Sequence, residues 1–153
     1  LQGYGRAEGM QRVFSDGCRL PFPDDSFDVA FSNSVIEHVG TPDRQLAFAQ
    51  EIRRVAKAYW VETPNRWFPV ESHLLTPFIH YLPRGLQKQV ARRWTVWQSL
   101  THPSPESRKF YVEHYLNDIR LLTPPQLLAY FPDGTLLRER TLGLTKALVV
   151  YRK

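Results

Sequence analysis

Between Phe27 and Glu62 the chain runs apolar, then helical, then apolar again, and that order leaves few folds open. Phe27-Asp28-Val29-Ala30-Phe31 is a short apolar run that stops at Ser32-Asn33-Ser34. Gly40-Thr41-Pro42-Asp43 follows as a helix start, with Thr41 able to cap and Pro42 at the first helical position. Over residues 44–57 the apolar side chains fall at Phe48, Ala49, Ile52, Val55 and Ala56, the stripe of an amphipathic helix. Arg44, Glu51, Arg53, Arg54 and Lys57 lie off that stripe. Tyr59-Trp60-Val61-Glu62 is a second strand, ended by Thr63-Pro64-Asn65. Strand, helix and strand at this spacing make a parallel, right-handed βαβ unit. In an open parallel sheet a ligand crevice forms beyond the carboxyl ends of the strands.

Upstream, Val13-Phe14 runs into Ser15-Asp16-Gly17 and reads as a further short buried strand that releases polar residues at its end. Leu20-Pro21-Phe22-Pro23 and Asp24-Asp25-Ser26 form a stiff connection, the prolines fixing φ and Asp/Ser closing local hydrogen bonds. Gly3, Gly5 and Gly9 follow no apolar strand, so they read as a flexible leader over residues 1–11 and not as a nucleotide fingerprint.

Residues 66–101 depart from the sheet pattern. Leu86, Val90, Trp94 and Trp97 share a helical face, with Arg84, Lys88 and Arg92 opposite. This is a helical insertion whose apolar side covers the crevice, or a basic surface helix that meets an acidic partner. Residues 106–122 place Tyr111, Val112, Tyr115, Leu116 and Ile119 at helical spacing. Thr123-Pro124-Pro125 starts a short helix through Tyr130, and strands over residues 135–141 and 145–151 close the chain as an antiparallel pair.

With 153 residues, 42% hydrophobic and 23% charged, the whole chain reads as one domain, residues 1–153, with a core of its own. The formal charge of +5 is compatible with an anionic partner without demanding one. A single cysteine, Cys18, rules out an internal disulfide and fits a reducing compartment. No run approaches the roughly 20 apolar residues of a membrane span, so no integral membrane segment is expected and the expected location is cytoplasmic. Basic residues are dispersed and no reader motif occurs, so nucleic acid is not an expected partner. His38, His73, His80, His102 and His114 show no ligand spacing, so no metal is expected.

Asp16-Gly17-Cys18, Leu20-Pro21-Phe22, Ser26-Phe27-Asp28 and Ser34-Val35-Ile36-Glu37-His38-Val39 together resemble the class I S-adenosylmethionine-dependent methyltransferases, in their type 11-like form. That resemblance implies a Rossmann-like α/β fold: a mostly parallel sheet with a C-terminal antiparallel strand pair and a helical insertion, here a cap over residues 66–101. The family's glycine-rich first turn and the acidic end of its second strand have no counterpart before Arg12, so the expectation is a fold without its usual N-terminal part. By the resemblance, S-adenosylmethionine is the cofactor. Asp16 would bond the adenine amino group, the amides of Gly17 and Cys18 would approach the ring, and Asn33 and Ser34 would line the methionine end.

Methyl transfer from a sulfonium is a direct displacement that needs positioning and water exclusion more than acid–base groups. A base matters only where the acceptor loses a proton, and His38 is the candidate, with a structural tie as the alternative. Arg66, Glu71 and His73 flank Trp67-Phe68-Pro69 and could shape a small-molecule acceptor site, or pack the insertion on the sheet. The expected function is methyl transfer to a small molecule. The alternatives are a truncated, non-catalytic domain with weak or no cofactor binding, and a basic, aromatic interaction module. A sheet lacking neighbouring strands would expose an edge, so self-association is also expected.

Overall fold

A computed structural model describes residues 11–153, so the glycines of the expected leader lie outside the described residues. The first strand, β1 (Phe27–Asn33), is followed by a one-turn 3-10 helix at Ile36–His38 and by α1 (Pro42–Val55). Thr41 caps α1, its hydroxyl accepting from the Arg44 amide at 3.4 Å, and Pro42 sits in the first turn as the sequence indicates. Strand β2 (Ala56–Pro64) follows without a loop and pairs parallel with β1, Ala30 facing Tyr59 and Ser32 facing Val61.

The short strands β3 (Val70–Glu71) and β4 (Thr76–Pro77) make a small separate hairpin. Then come α2 (Arg84–Arg93), α3 (Val96–Thr101), α4 (Pro105–Asp118) and α5 (Pro124–Tyr130). The chain closes with β5 (Thr135–Thr141) and β6 (Leu144–Arg152), antiparallel to each other. Strand β6 also pairs antiparallel with β2, giving the order β1-β2-β6-β5. The result is the mixed α/β sheet that the sequence predicts, with its parallel pair, its C-terminal antiparallel pair and a helical segment between them.

Two apolar clusters hold this together. The first joins Phe48, Ala49 and Ile52 of α1 to the inward residues of β2 and β6 and to Leu127 and Phe131 at α5. Alternation along β2 decides which side chains enter it: Tyr59, Val61 and Thr63 point in, while Trp60 points out and stacks on Tyr151. Gly17 is needed here for a close approach, because a Cβ at that position would lie 3.1 Å from the Phe48 ring. The second cluster is helical: Leu74, Ile79 and Ala91 pack on Val112, Tyr115 and Ile119, so the segment after β2 shares its core with α4.

Three expectations are corrected. Val13 and Phe14 form no strand; Phe14 is 94% exposed, and the next residues make a tight turn in which the Arg19 amide donates to the Asp16 carbonyl at 2.9 Å. Two apolar residues bury too little to order a strand, and no described strand lies beside them. The Phe27 run is a strand but not a buried one: Val29 and Phe31 are exposed because only one face of β1 is covered by α1. On α2 the buried residues are Gln87 and Ala91, not Leu86 or Trp94. The helix ends at Arg93 and Trp94 is extended, so the stripe drawn through Trp94 and Trp97 crosses a break.

Candidate functional site at the strand tips

The parallel pair delivers its polar residues side by side. Past β1, Ser34 takes a left-handed conformation (φ 53°), donates its amide to the Glu62 carbonyl of β2 at 3.0 Å, and donates its hydroxyl to Asn33 Oδ1 at 3.0 Å. A cavity of about 520 Å³ opens at these tips, with Ser34, Glu62, Pro64, Asn65, Phe68 and His73 among its walls. Pro64 and Asn65, which end β2, thus open onto a crevice. Thr63 turns inward instead, as the pleat requires, and is fully buried.

Thr63 donates its hydroxyl to Glu37 Oε2 at 2.9 Å. Glu37 is fully buried in the 3-10 turn, and burial pushes its carboxyl pKa up against the opposing pull of its own backbone and Thr63. Its other oxygen, Oε1, has no hydrogen-bond partner among the described residues. The next residue, His38, is half-buried and places Nε2 3.2 Å from His73 Nε2 and 3.9 Å from Glu37 Oε1. Burial lowers the His38 pKa, and the nearby His73 and His114 lower it further.

Glu71 stands behind His73. Its Oε1 is 2.6 Å from His73 Nδ1, and its Oε2 accepts the backbone amides of His73 at 2.9 Å and Leu74 at 2.6 Å. Both oxygens are thus engaged within the protein, so Glu71 reaches any ligand through His73. On the far side of His38 the His114 ring is stacked in parallel, centroids 5.6 Å apart, with Nδ1 2.7 Å from Asp118 Oδ2.

The other sequence candidates are placed differently. Asp16 accepts the Cys18 amide at 2.9 Å and pairs with Arg44 of α1 at 2.9 Å, with half of its side chain exposed. The Cys18 amide first, and then Arg44, hold its carboxyl pKa down. Neither Asp16, Gly17 nor Cys18 lines the 520 Å³ cavity. Cys18 Sγ donates to the Arg44 carbonyl at 3.3 Å, and burial pushes that thiol pKa up. Arg66 faces a second cavity, about 370 Å³, shared with His80, Arg84 and Tyr115, and so is separated from Glu71 and His73. Arg84, expected on a solvated basic face, is drawn into that same cavity, where it donates to Gln87 Oε1 at 3.1 Å.

The sequence grouped Glu71 and His73 with Arg66 and set His38 apart as a base, and did not show that His38 converges on the other two. Glu37, Thr63, His114 and Asp118 were not marked as functional side chains. The adjacent Glu37-His38 pair is the one local signal; the remaining contacts span tens of residues and leave no spacing to read.

Sheet order and tip cavity define an α/β chain with a cavity beyond the carboxyl ends of its parallel strands. Residues 3–58 match the family model described as a methyltransferase domain, in line with the resemblance that the sequence carries. The match contains β1, the Asp16–Val39 constellation and α1. Among solved structures the chain is similar to a SAM-dependent methyltransferase from Methanosarcina mazei, at 15% identity and a TM-score of 0.46. That alignment covers 90% of this chain and 63% of the other. No curated protein matches. Among the described residues no helix is long and apolar enough to cross a membrane.

Proposed function

We propose that this chain takes part in methyl transfer from S-adenosylmethionine to a small-molecule acceptor, with the tip cavity as the acceptor site. The observation that carries the reading is the coincidence of two things: the methyltransferase-domain match over residues 3–58, and a cavity at the carboxyl ends of the paired strands β1 and β2. At about 520 Å³ the cavity falls within the range of about 300–1,000 Å³ common for small-molecule sites. Asn33 and Ser34 would hold the methionine end of the cofactor where β1 stops. Asp16, with the amides of Gly17 and Cys18, would take the nucleoside end once the carboxylate leaves Arg44.

The cofactor supplies an electrophilic methyl group on a sulfonium that departs without a proton. The chain's own residues then have to orient the acceptor and exclude water, tasks that suit Phe68 and the other apolar walls of the cavity. For an acceptor that must be deprotonated, His38 is the proposed base, its lowered pKa keeping the imidazole neutral near pH 7. His73 borders the cavity directly and would meet the acceptor, with Glu71 fixing its ring. Arg66 belongs to the neighbouring cavity and would contact only an acceptor long enough to reach it.

A second reading is favoured by one observation, the Asp16–Arg44 pair with the Cys18 amide already satisfied by the same carboxylate. It is a non-catalytic domain that binds cofactor weakly or not at all. Calorimetric titration with S-adenosylmethionine separates the two. Saturable binding, weakened about tenfold by Asp16→Ala through loss of one charge-assisted hydrogen bond, is expected for the first. No heat at millimolar ligand establishes the second.

A further inference from the structure

We propose that Glu37, His38 and His73 form a site for a divalent transition-metal ion of the zinc class. One donor atom each from Glu37, His38 and His73 lies within 4.8 Å of the other two. The two imidazole nitrogens are 3.2 Å apart. Around a tetrahedral ion with metal–nitrogen bonds of about 2.0–2.1 Å, two such nitrogens sit about 3.3 Å apart, so the rings already have the required spacing. Glu37 Oε1 lies 3.9 Å from His38 Nε2, so a modest closing movement of the carboxylate would complete a three-donor set.

Two further features point to an ion and not to a chance gathering. The first is the tautomer of His73. Glu71 faces Nδ1 at 2.6 Å and, as a carboxylate, accepts its proton, which leaves a lone pair on Nε2 aimed at His38. A carboxylate behind the distal nitrogen is the usual support of a metal-bound histidine. The second is Glu37 Oε1 itself: fully buried, 3.9 Å from His38 Nε2 and lacking any hydrogen-bond partner among the described residues, while Oε2 is fixed by Thr63. An orphaned carboxylate oxygen is costly in a protein interior, and a bound cation removes that cost.

Two nitrogens and one carboxylate oxygen suit zinc, cobalt or nickel over magnesium or calcium, which prefer oxygen donors. Three protein donors leave a tetrahedral ion one position for water or an oxygen of a molecule in the adjoining cavity, which His73 also lines. His114 stacks on His38 and engages Asp118, so it packs the site from outside the donor set. With the ion in place His38 is a ligand and no longer a base.

The test reads the ion and not methyl transfer, so its failure leaves the cofactor titration untouched. The chelator-stripped chain is titrated with Zn²⁺ by calorimetry and with Co²⁺ by visible absorption near neutral pH. One ion per chain at micromolar or tighter affinity, with the intense visible bands of tetrahedral cobalt, is expected. His38→Ala and His73→Ala should each weaken binding at least a hundredfold, and His102→Ala, at an exposed position outside the cluster, should not change it. Glu71→Gln leaves all three donors in place and should weaken it about 10–100-fold, which decides the matter if the alanine variants fail to fold by circular dichroism. No binding at a hundred micromolar Zn²⁺, or binding indifferent to His38→Ala and His73→Ala, overturns the proposal; the histidine pair would then share only a proton.

Discussion

Tyr59 shows how much a single side chain ties together. Its ring sits in the main core against Phe131, and its hydroxyl donates to Asp133 Oδ1 at 3.0 Å. Arg53 and Arg152 clamp the same carboxylate at 2.7 and 2.5 Å, and the Arg152 guanidinium lies 5.0 Å above the ring. Burial, then the bond to Asp133, pushes the phenol up to about 12. Because the unfolded value is about 10, the fold favours the neutral phenol, so this contribution is whole below about pH 10 and fades as pH climbs from there towards 12. Tyr59→Phe should cost about 1 kcal/mol at neutral pH and flatten part of the alkaline loss of stability, as denaturant melts at pH 8 and pH 11 would show. An unchanged alkaline slope would separate the phenol from the effect. The sequence showed Tyr59 as a strand residue, but not its partner, which lies 74 positions away. Asp16 was legible as a polar residue beside a glycine at the end of an apolar run; that Arg44 would occupy its carboxylate depended on how the turn packs against α1.

Among the elements, α1 is the one the sequence described most fully, because cap, proline and apolar stripe are all local signals. What local signals omit is its second task of holding down the connection before β1. Glu51 accepts the Leu20 amide at 2.7 Å, while Arg54 donates to the Phe22 carbonyl and to Asp24, both at 2.8 Å. Arg54 also pairs with Glu51, and that hydrogen bond is the main reason the Glu51 pKa is held below the usual carboxylate range. The loop contribution of Glu51 is therefore present above about pH 4.3 and lost as the solution is acidified. Arg54→Ala should release the loop without unfolding the sheet. Hydrogen exchange at Leu20 and Asp25 should quicken about tenfold while the β6 amides keep their protection; equal acceleration of both would mean that the loop and sheet open as one unit. The helical segment was less legible, since Trp94 sits in an extended link and a stripe drawn through it joins residues that do not share a helix.

For the whole molecule, one side of the sheet is only partly covered. Ala147 and Val149 of β6 are buried on that side, but Val29, Phe31, Trp60 and Leu137 are exposed there, and β1 is an edge among the described residues. An unpaired edge beside an apolar face favours association. Light scattering should therefore give a mass above the 17.9 kDa of one chain at micromolar concentration, and Phe31→Lys, at a position that packs on nothing inside, should bring it down. A clean monomer across that range would remove the idea. The parallel pair and the closing hairpin followed from patterns along the chain, whereas the pairing of β6 with β2 and the histidine cluster are products of assembly: the sheet brings His38, the small hairpin brings His73 and α4 brings His114.

One buried side chain connects those parts. Gln45 of α1 donates from Nε2 both to the Ile36 carbonyl at 3.2 Å, at the start of the histidine turn, and to the Arg120 carbonyl at 2.8 Å, just past α4. The Arg120 amide returns a bond to the Glu37 carbonyl at 2.8 Å. The end of the helical segment and the tip of β1 are stitched through a common seam, so neither can swing alone. A guest that shoulders the helices aside must also tug the imidazoles out of alignment, and one that fits without strain leaves them facing each other.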